Sequence, residues 1–441
     1  MGIISVLVPL YQSEMAPKWI RGTLVCAYQL AITVGLLIAA IVNNFTSRID
    51  SPASYRIPIA LQFVWAGILF LGMIVLPETP RYLIKRERHA SAATALSRIR
   101  RLDITHPALI EELAEIEANH AYELSLGPSS YRDVFLGSPH LGRRVLTGCG
   151  LQMLQQLTGC NFIFYFGTTF FTQANTQSYL ASPFTLQMIT NSVNVLSTLP
   201  GMVLVESWGR RPLLLMGASG MAISQFVVAI VSTTSVSSSV ASMFLITFVC
   251  VYIFFFACSW GPAAWVVTSE IYPLKVRAKS MSISTASNWF FNWAIAYSTP
   301  YMLNTGAGSA NLQGKVFFIW GAFCLFALAF VWFMVYETSK ISLEQIDELY
   351  ERVDRAWNSP KFQPSWSFQD IREETENGIA SGVSLADREE ARRRTSAETR
   401  SSDAGDSDRI TISAHGSQTS TTPLTEEEKI IASLGRVDFS L

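Results

Sequence analysis

Neutral side-chain amides recur within the long apolar stretches of this 441-residue sequence. A carboxamide donates hydrogen bonds through its nitrogen and accepts them through its oxygen, so it pairs with a hydroxyl group in either direction. With an aromatic ring as a flat apolar surface, such amides suit a neutral ligand rich in hydroxyl groups. The alternative is that each amide only joins neighbouring helices. The candidate residues are Gln29, Gln155, Gln156, Asn161, Asn194, Trp265, Asn288 and Asn292.

The composition indicates a membrane protein. Of the residues, 49% are hydrophobic and 15% are charged, whereas a soluble domain carries about 25% charged residues. Apolar blocks of about 20 residues alternate with charged stretches, and such a block crosses a hydrocarbon core of about 30 Å. Residues 2–13 form a shorter block, interpreted as the end of a helix whose beginning is absent. The predicted full spans are 22–43, 57–76, 145–172, 184–204, 213–233, 242–267, 280–303 and 316–336.

Basic residues concentrate in every second loop. Loops 78–144, 205–212 and 268–279 carry Lys or Arg, whereas the loops between them carry none. Because positive charge favours the cytoplasmic side, these loops and the C-terminus are predicted to be cytoplasmic. Loop 44–56 is predicted to be external despite its two arginines. We expect its sequon, Asn44-Phe-Thr46, to stay unglycosylated because it lies so close to the membrane.

These patterns predict an all-α membrane protein with a cytoplasmic linker and tail. Helical spacing of apolar residues in the linker predicts two or three short amphipathic helices. The tail has few large apolar side chains, so we expect it to be disordered. The predicted regions are the remainder of an N-terminal transmembrane half (1–77), the linker (78–143), a C-terminal six-helix transmembrane half (144–337), a cytoplasmic helix (338–359) and the tail (360–441).

The sequence contains an internal repeat. Ser, Glu, Pro and Arg stand at identical spacing in Ser13–Arg21 and in Ser269–Arg277. Glu78-Thr79 and Glu337-Thr338 form a second pair at a similar offset. Two parallel halves of similar sequence are a known transporter architecture, with the substrate site between them. Three spans precede the helix of the second Ser-Glu motif, and we expect their equivalents in the first half to be missing from this sequence.

Glutamate and arginine recur at the predicted helix ends. Charged groups at the membrane boundary are costly to leave unpaired, so these residues are candidates for ion-pair networks. The alternative is that the arginines anchor to lipid headgroups, which does not explain the repeated glutamates. The residues are Glu14, Arg21, Glu206, Arg210, Glu270 and Arg277.

Several short motifs occur in a fixed order along the first 350 residues. They are Pro9-Leu-Tyr-Gln-Ser-Glu14 with Arg21-Gly22, Pro77-Glu-Thr-Pro-Arg81, Gln155-Gln-Leu-Thr-Gly-Cys-Asn161, Glu206-Ser-Trp-Gly-Arg-Arg211, Gly261-Pro262 with Trp265, and Glu337-Thr338. This ordered set resembles the sugar porter family of the major facilitator superfamily. The run Asn161-Phe-Ile-Phe-Tyr-Phe-Gly-Thr-Thr-Phe-Phe171 resembles the fungal hexose transporters of that family most of all. Two positions depart from the family pattern, since Ser207 replaces an Arg and Tyr336-Glu-Thr-Ser-Lys340 replaces Pro-Glu-Thr-Lys-Gly.

The resemblance implies a major facilitator fold of two pseudo-symmetric halves, N-terminally incomplete, with eight full spans and one partial span. It implies transport of a monosaccharide, a hexose such as glucose, by alternating access. It assigns substrate contact to the eight candidates named first and gating salt bridges to the six charged residues. Facilitation and proton symport both stay open, because proton-coupled relatives carry their carboxylate in a helix that this sequence does not contain.

Two other interpretations also stay open, a transporter-like sugar sensor and a nonfunctional truncated transporter. Nothing in the sequence indicates an enzyme, since it shows no nucleotide-binding loop, metal-ligand cluster or nucleophile–base pair. Neither a cofactor nor a metal is predicted, and a net charge of −1 gives no sign of a nucleic-acid partner. The expected partners are a sugar, the lipid bilayer and, for a symporter, a proton. The expected location is the plasma membrane.

Overall fold

The structure is a computed structural model and describes residues 2–16, 21–125, 130–137, 140–173, 182–233, 239–304, 309–339, 341 and 343–362. Every regular element within these ranges is a helix. The first seven helices are α1 (Gly2–Met15), α2 (Arg21–Thr46), α3 (Ala53–Val75), α4 (Pro80–Lys85), α5 (His89–Arg100), α6 (Pro107–Ser125) and α7 (Tyr131–Leu136). The others are α8 (Leu141–Leu157), α9 (Cys160–Gln173), α10 (Pro183–Ser207), α11 (Arg210–Thr233), α12 (Ser239–Phe255), α13 (Gly261–Glu270), α14 (Arg277–Leu303), α15 (Val316–Met334) and α16 (Leu343–Arg352).

Six stretches of helix among the described residues are long and apolar enough to cross a membrane. They coincide with six of the eight predicted spans. The other two predicted spans are helical as well: 145–172 is divided between α8 and α9, and 280–303 lies within α14. The first is divided by the break at Gly159 into helices of 17 and 14 residues, each too short to cross a membrane alone. The second carries Asn288, Asn292 and several Ser and Thr residues, which make it more polar.

The third helix, α3, faces outward along its whole length. None of its residues is buried, and Phe63, Leu69 and Phe70 are more than half exposed. A surface this apolar fits lipid hydrocarbon rather than water. α3 therefore lies at the lipid-facing side of the bundle.

The main hydrophobic core lies in the C-terminal half, among α8 to α15. Leu151, Phe162, Leu214 and Trp260 are fully buried there. Cys26 of α2 belongs to the same core. The packing of α2 against the C-terminal half thus joins the two halves of the described chain.

The two copies of the internal repeat occupy equivalent places. The first copy runs from the end of α1 to Arg21, the first residue of α2. The second runs from Glu270, the last residue of α13, to Arg277, the first residue of α14. Each copy therefore connects two consecutive helices in its own half.

The linker contains four described helices, α4 to α7, rather than the two or three that the sequence predicted. Pro80 begins α4 behind the capping hydroxyl of Thr79, which accepts from the backbone N–H of Tyr82 at 3.2 Å. Short capped helices such as α4 and α7 lack the run of apolar residues that makes a longer helix visible in a sequence.

The last described helix, α16, packs against the start of α8. Arg144 is fully buried and pairs with Asp347 of α16, and its guanidinium lies 4.2 Å from the ring centre of Tyr350. Burial raises the pKa of Tyr350 well above its ordinary value, although Arg144 partly offsets the effect. The ring is therefore neutral at physiological pH and offers its face to the cation. Of the predicted tail (360–441), the residues from 363 onward lie outside the described residues.

Candidate functional site

The amide side chains of α8 and α14 form one hydrogen-bonded cluster. Gln156 donates through Nε2 to Oδ1 of Asn288 at 3.1 Å. Asn288 donates through Nδ2 to Oε1 of Gln155 at 2.9 Å and to Oε1 of Gln152 at 2.7 Å. All four side chains are buried. The cluster therefore concentrates neutral donors and acceptors away from bulk water.

The cluster continues onto α9. Asn161 donates to Oε1 of Gln156. Asn292 donates through Nδ2 to the same oxygen at 3.5 Å and to the hydroxyl of Tyr165 at 3.4 Å. Gln156 thus meets Asn161, Asn288 and Asn292, which makes it the centre of the cluster. Tyr165 is half exposed and stands at the edge.

A break between α8 and α9 brings Asn161 back toward Gln156. Gly159 has a φ of +88°, a backbone conformation that glycine adopts without a steric penalty. A Cβ at this position would lie 2.7 Å from the indole of Trp320. The carbonyl of the preceding residue, Thr158, accepts from Nε2 of Gln225 at 3.1 Å and from the hydroxyl of Tyr252 at 3.0 Å. Neighbouring helices therefore hold the carbonyl that the break releases.

The helix formed by α12 and α13 supplies the aromatic side of the site. Residues Phe256–Trp260 between them form one π-helical turn, so the helix is widened just before Gly261-Pro262 but not broken. Gln155 donates through Nε2 to the carbonyls of Trp260 and Gly261 at 2.9 and 3.1 Å. These bonds fix the backbone from which Trp265 projects.

Trp265 also contacts the N-terminal half of the described chain. Its ring meets the ring of Tyr28 edge to face, with the centroids 5.6 Å apart. Gln29, the next residue of α2, is buried close to Gly261. A Cβ at Gly261 would lie 3.2 Å from Nε2 of Gln29. Both halves therefore contribute predicted site residues to one region.

Asn194 stands apart from this cluster. It is 1% exposed, and neither Nδ2 nor Oδ1 has a hydrogen-bond partner among the described residues. Its place on α10 puts an unpaired amide inside the helix bundle. An unpaired buried polar group costs about 1–3 kcal/mol, so structural bonding between helices does not account for this residue.

A second set of predicted residues forms an ion-pair network where α10, α11 and α13 meet. Arg210, which is 5% exposed, donates to both carboxylate oxygens of Glu270 at 2.9 and 3.2 Å. Glu206 lies 3.3 Å from the same guanidinium. Glu337 accepts the backbone N–H groups of Arg210 and Arg211 at 3.0 and 2.9 Å. Three carboxylates thereby contact this buried arginine: Glu270 and Glu206 bind its guanidinium, and Glu337 binds its backbone N–H.

The structure describes the other three charged candidates only in part. The side chains of Glu14 and Arg21 lie outside the described residues. Arg277 donates through Nε to the carbonyl of Tyr272 at 3.3 Å. The ion pairs that the structure describes around Arg210 all lie within the C-terminal half, so they connect helices of that half with one another.

Sequence reasoning missed two contributors. Gln152 is fully buried and bridges α13 and α14, since it donates to Oγ1 of Thr268 at 3.1 Å and accepts from Asn288. Its position one turn before Gln155 and Gln156 was the available signal. Thr338 donates to Oε2 of Glu270 at 2.8 Å and so adds the motif Glu337-Thr338 to the network.

The described residues contain neither a metal-binding cluster nor a disulfide bond. They contain no group of three or more His, Cys, Asp or Glu side chains able to hold a metal ion. All six cysteines are free and are buried or half-buried. The groups that the described site does offer are neutral hydrogen-bonding amides.

Apolar helices around a buried amide cluster, with ion pairs at one end, form a membrane protein of the major facilitator fold. The chain belongs to the family described as sugar (and other) transporters, whose model matches residues 1–350. The chain is also similar to the xylose transporter XylE. It resembles the proton:xylose symporter XylE bound to 6-bromo-6-deoxy-D-glucose with a TM-score of 0.66 and 27% identity, covering 79% of this chain and 71% of that one.

The inward-open form of XylE from E. coli resembles the chain less well. Its TM-score is 0.58 at 26% identity, covering 77% of this chain and 68% of that one. The described arrangement is thus nearer to the sugar-bound form than to the inward-open form.

Curated relatives come from fungi. The chain is 65% identical over 378 residues to the probable glucose transporter rco-3 of Neurospora crassa, covering 84% of this chain and 63% of that protein. It is 45% identical over 365 residues to the high glucose sensor RGT2 of Saccharomyces cerevisiae, covering 82% of this chain and 47% of that protein. The chain therefore spans less than two thirds of the length of either relative.

Proposed function

We propose that this chain carries a monosaccharide, a hexose such as glucose, across a membrane by alternating access. The observation that supports this most directly is the buried cluster of Gln155, Gln156, Asn161, Asn288 and Asn292 around one point. Each amide offers a donor and an acceptor, which matches the two-way hydrogen bonding of sugar hydroxyls. Relatives named as a probable glucose transporter and as a xylose symporter agree with this substrate class.

Trp265 completes the proposed site. A pyranose ring has an apolar face formed by its C–H groups, and an indole ring packs against such a surface. Gln29 reaches the same region from the N-terminal half, and Asn194 brings unpaired hydrogen-bonding groups. A sugar between these residues contacts both halves at once, which is what couples binding to their relative movement.

The network around Arg210 is the proposed gate on the cytoplasmic side. The described ion pairs hold the ends of α10, α11 and α13 together, and we expect them to separate when this end of the bundle opens. The C-terminus would then lie in the cytoplasm, and the plasma membrane is the proposed location. The protein performs no chemistry on the sugar in this proposal, and both facilitation and proton symport remain compatible with it.

Uptake of labelled D-glucose into liposomes that contain the purified chain tests the proposal. We expect uptake that saturates with concentration and exceeds uptake of L-glucose at least about tenfold, since the amides read hydroxyl positions. Equal accumulation of the two enantiomers would contradict transport through this site.

A sensor is the second candidate, because the chain is 45% identical to a protein named a high glucose sensor. The same site would then bind sugar and pass the change of state to the cytoplasmic side without net flux. Measuring binding and uptake on one preparation separates the two functions. Stereospecific binding of D-glucose without uptake supports the sensor, whereas uptake supports the transporter.

A further inference from the structure

A polar cavity lies at the end of the bundle opposite to the Arg210 network. It has a volume of about 690 Å³ and is formed by the end of α2, the end of α9 and the start of α10. α10 runs from this cavity at Pro183 to the network at Glu206. The two features therefore sit on opposite sides of the proposed sugar site.

The lining of the cavity combines a cation with hydroxyl groups. Arg48 is exposed to it, and none of its lining residues is acidic. Ser47 donates its hydroxyl proton to the carbonyl of Asn44 at 2.9 Å, and Thr172 donates to the carbonyl of Thr168 at 2.8 Å. A hydroxyl group whose proton is already engaged in a hydrogen bond can still accept one through the lone pairs of its oxygen. The cavity thus presents guanidinium donors beside hydroxyl acceptors.

An amide whose oxygen is unpaired lies one turn further along α10. Gln187 is 9% exposed and donates through Nε2 to the carbonyl of Phe164 at 3.3 Å. Its Oε1 has no partner among the described residues and lies against Gly167, the neighbour of Thr168 in the cavity wall. Gln187 does not line the cavity itself but lies behind its wall, against the residue that precedes Thr168.

The same face of α10 continues to Asn194, one of the proposed site residues. Gln187, Asn191 and Asn194 follow one another at helical spacing and are all buried. The oxygen of each amide is without a described partner. Since an unpaired buried acceptor costs about 1–3 kcal/mol, a row of three implies a polar ligand or water along this face.

We propose that the cavity is an outer docking site for the transported monosaccharide, which then moves along the amide face of α10 to the cluster at Gln156. Arg48 donates to the sugar hydroxyls, the threonine and serine oxygens accept from them, and Phe184 supplies an apolar side. This inference rests on the proposed function, because it takes the sugar from there. It adds a second site, at the opposite end from the gate.

Thiol protection tests the outer site in the full chain. Thr172 lines the cavity and is exposed, whereas the natural cysteines are buried or half-buried. A membrane-impermeant thiol reagent should therefore label a Thr172→Cys variant, and D-glucose should slow the labelling. The decisive background is the double substitution Gln156→Ala and Asn161→Ala, which removes the deep site. Protection that persists there supports an outer site, whereas protection that disappears shows an indirect effect of the deep site and overturns the proposal.

Matched arginine variants identify the contact. In the deep-site-deficient background, Arg48→Ala should raise the D-glucose concentration for half-maximal protection about three- to tenfold, as expected for one or two lost hydrogen bonds. Arg56→Ala removes an exposed charge of the same segment that is not in the lining, and should change it less than about twofold. Equal effects of both substitutions would mean that surface charge alone is responsible, which also overturns the outer site.

The two proposals fail in different ways. Saturable D-glucose uptake without protection of Thr172→Cys in either background rejects the outer site and leaves transport standing. Protection in both backgrounds without uptake supports the outer site and rejects transport. A Ser51→Cys variant, exposed but outside the cavity, should be labelled at the same rate with and without sugar. Sugar-dependent labelling there would show a general effect and count against the outer site.

Discussion

Nε2 of Gln156 donates a hydrogen bond to Oδ1 of Asn288 at 3.1 Å, and this bond joins α8 to α14. Both groups are buried, yet both belong to residue types that exchange partners with a sugar hydroxyl. In the described arrangement the amides satisfy one another. A bound sugar would enter a network that is already organised, so little of its binding free energy would go into ordering side chains.

The bidentate bond between Arg210 and Glu270 should be the strongest contact of the ion-pair network. Glu270→Gln leaves a buried arginine without its main counter-charge, which costs about 3–5 kcal/mol in comparable buried pairs. Glu206 is 43% exposed and meets the same guanidinium through one oxygen, so Glu206→Gln should cost less than about 1 kcal/mol. Thermal unfolding midpoints of the two variants in lipid nanodiscs measure the difference. Equal midpoints would show that Glu270 is not the principal partner.

Replacing Gly159, at the break between α8 and α9, should destabilise the protein. Gly159→Ala places a side chain at a positive φ, which costs about 1–2 kcal/mol, and directs its Cβ into Trp320. Gly67→Ala on the lipid-facing α3 meets nothing within 4 Å and should be tolerated. Folded yield after detergent extraction, compared between the variants, checks the prediction. Similar yields would mean that the break relaxes without loss.

The sequon at Asn44 should carry no glycan. Asn44 lies within α2, is 6% exposed, and its Nδ2 is 3.9 Å from Sδ of Met188. The amide nitrogen that would carry the glycan therefore lies in the wall of the cavity and is almost entirely covered. The mass of the chain from eukaryotic cells should be unchanged by an endoglycosidase. A decrease in mass that Asn44→Gln abolishes would contradict this burial.

Much of the site could be predicted from sequence because its residues are polar groups in apolar surroundings. Gln155, Gln156, Asn161 and Asn288 stand out for that reason, and the structure brings all four together. Their role in binding sugar stays a prediction. Gln152 was missed although it is equally buried, since a single Gln one turn away has the same pattern as a structural amide.

Other features depend on contacts that no local pattern contains. The π turn at Phe256–Trp260 and the capture of the Thr158 carbonyl by Gln225 and Tyr252 each require helices that are distant in sequence. The short linker helices escaped detection because two turns of helix give too little periodicity. The row of amides on α10 became visible only once burial showed that their oxygens lack partners among the described residues.

The affinity of D-glucose for the Gln156→Ala variant tests the central claim most directly. Loss of this amide leaves sugar hydroxyls without partners, so binding should weaken by about 1–3 kcal/mol, or roughly 5- to 150-fold. Gln62→Ala is the matched control, because Gln62 is an exposed amide on the lipid-facing α3. Titration of D-glucose against each purified variant in nanodiscs, with its unfolding midpoint recorded, supplies the comparison. The account predicts a large loss of affinity for Gln156→Ala alone, with the protein still folded; unchanged affinity alongside a lowered unfolding midpoint would contradict it and assign Gln156 to helix packing.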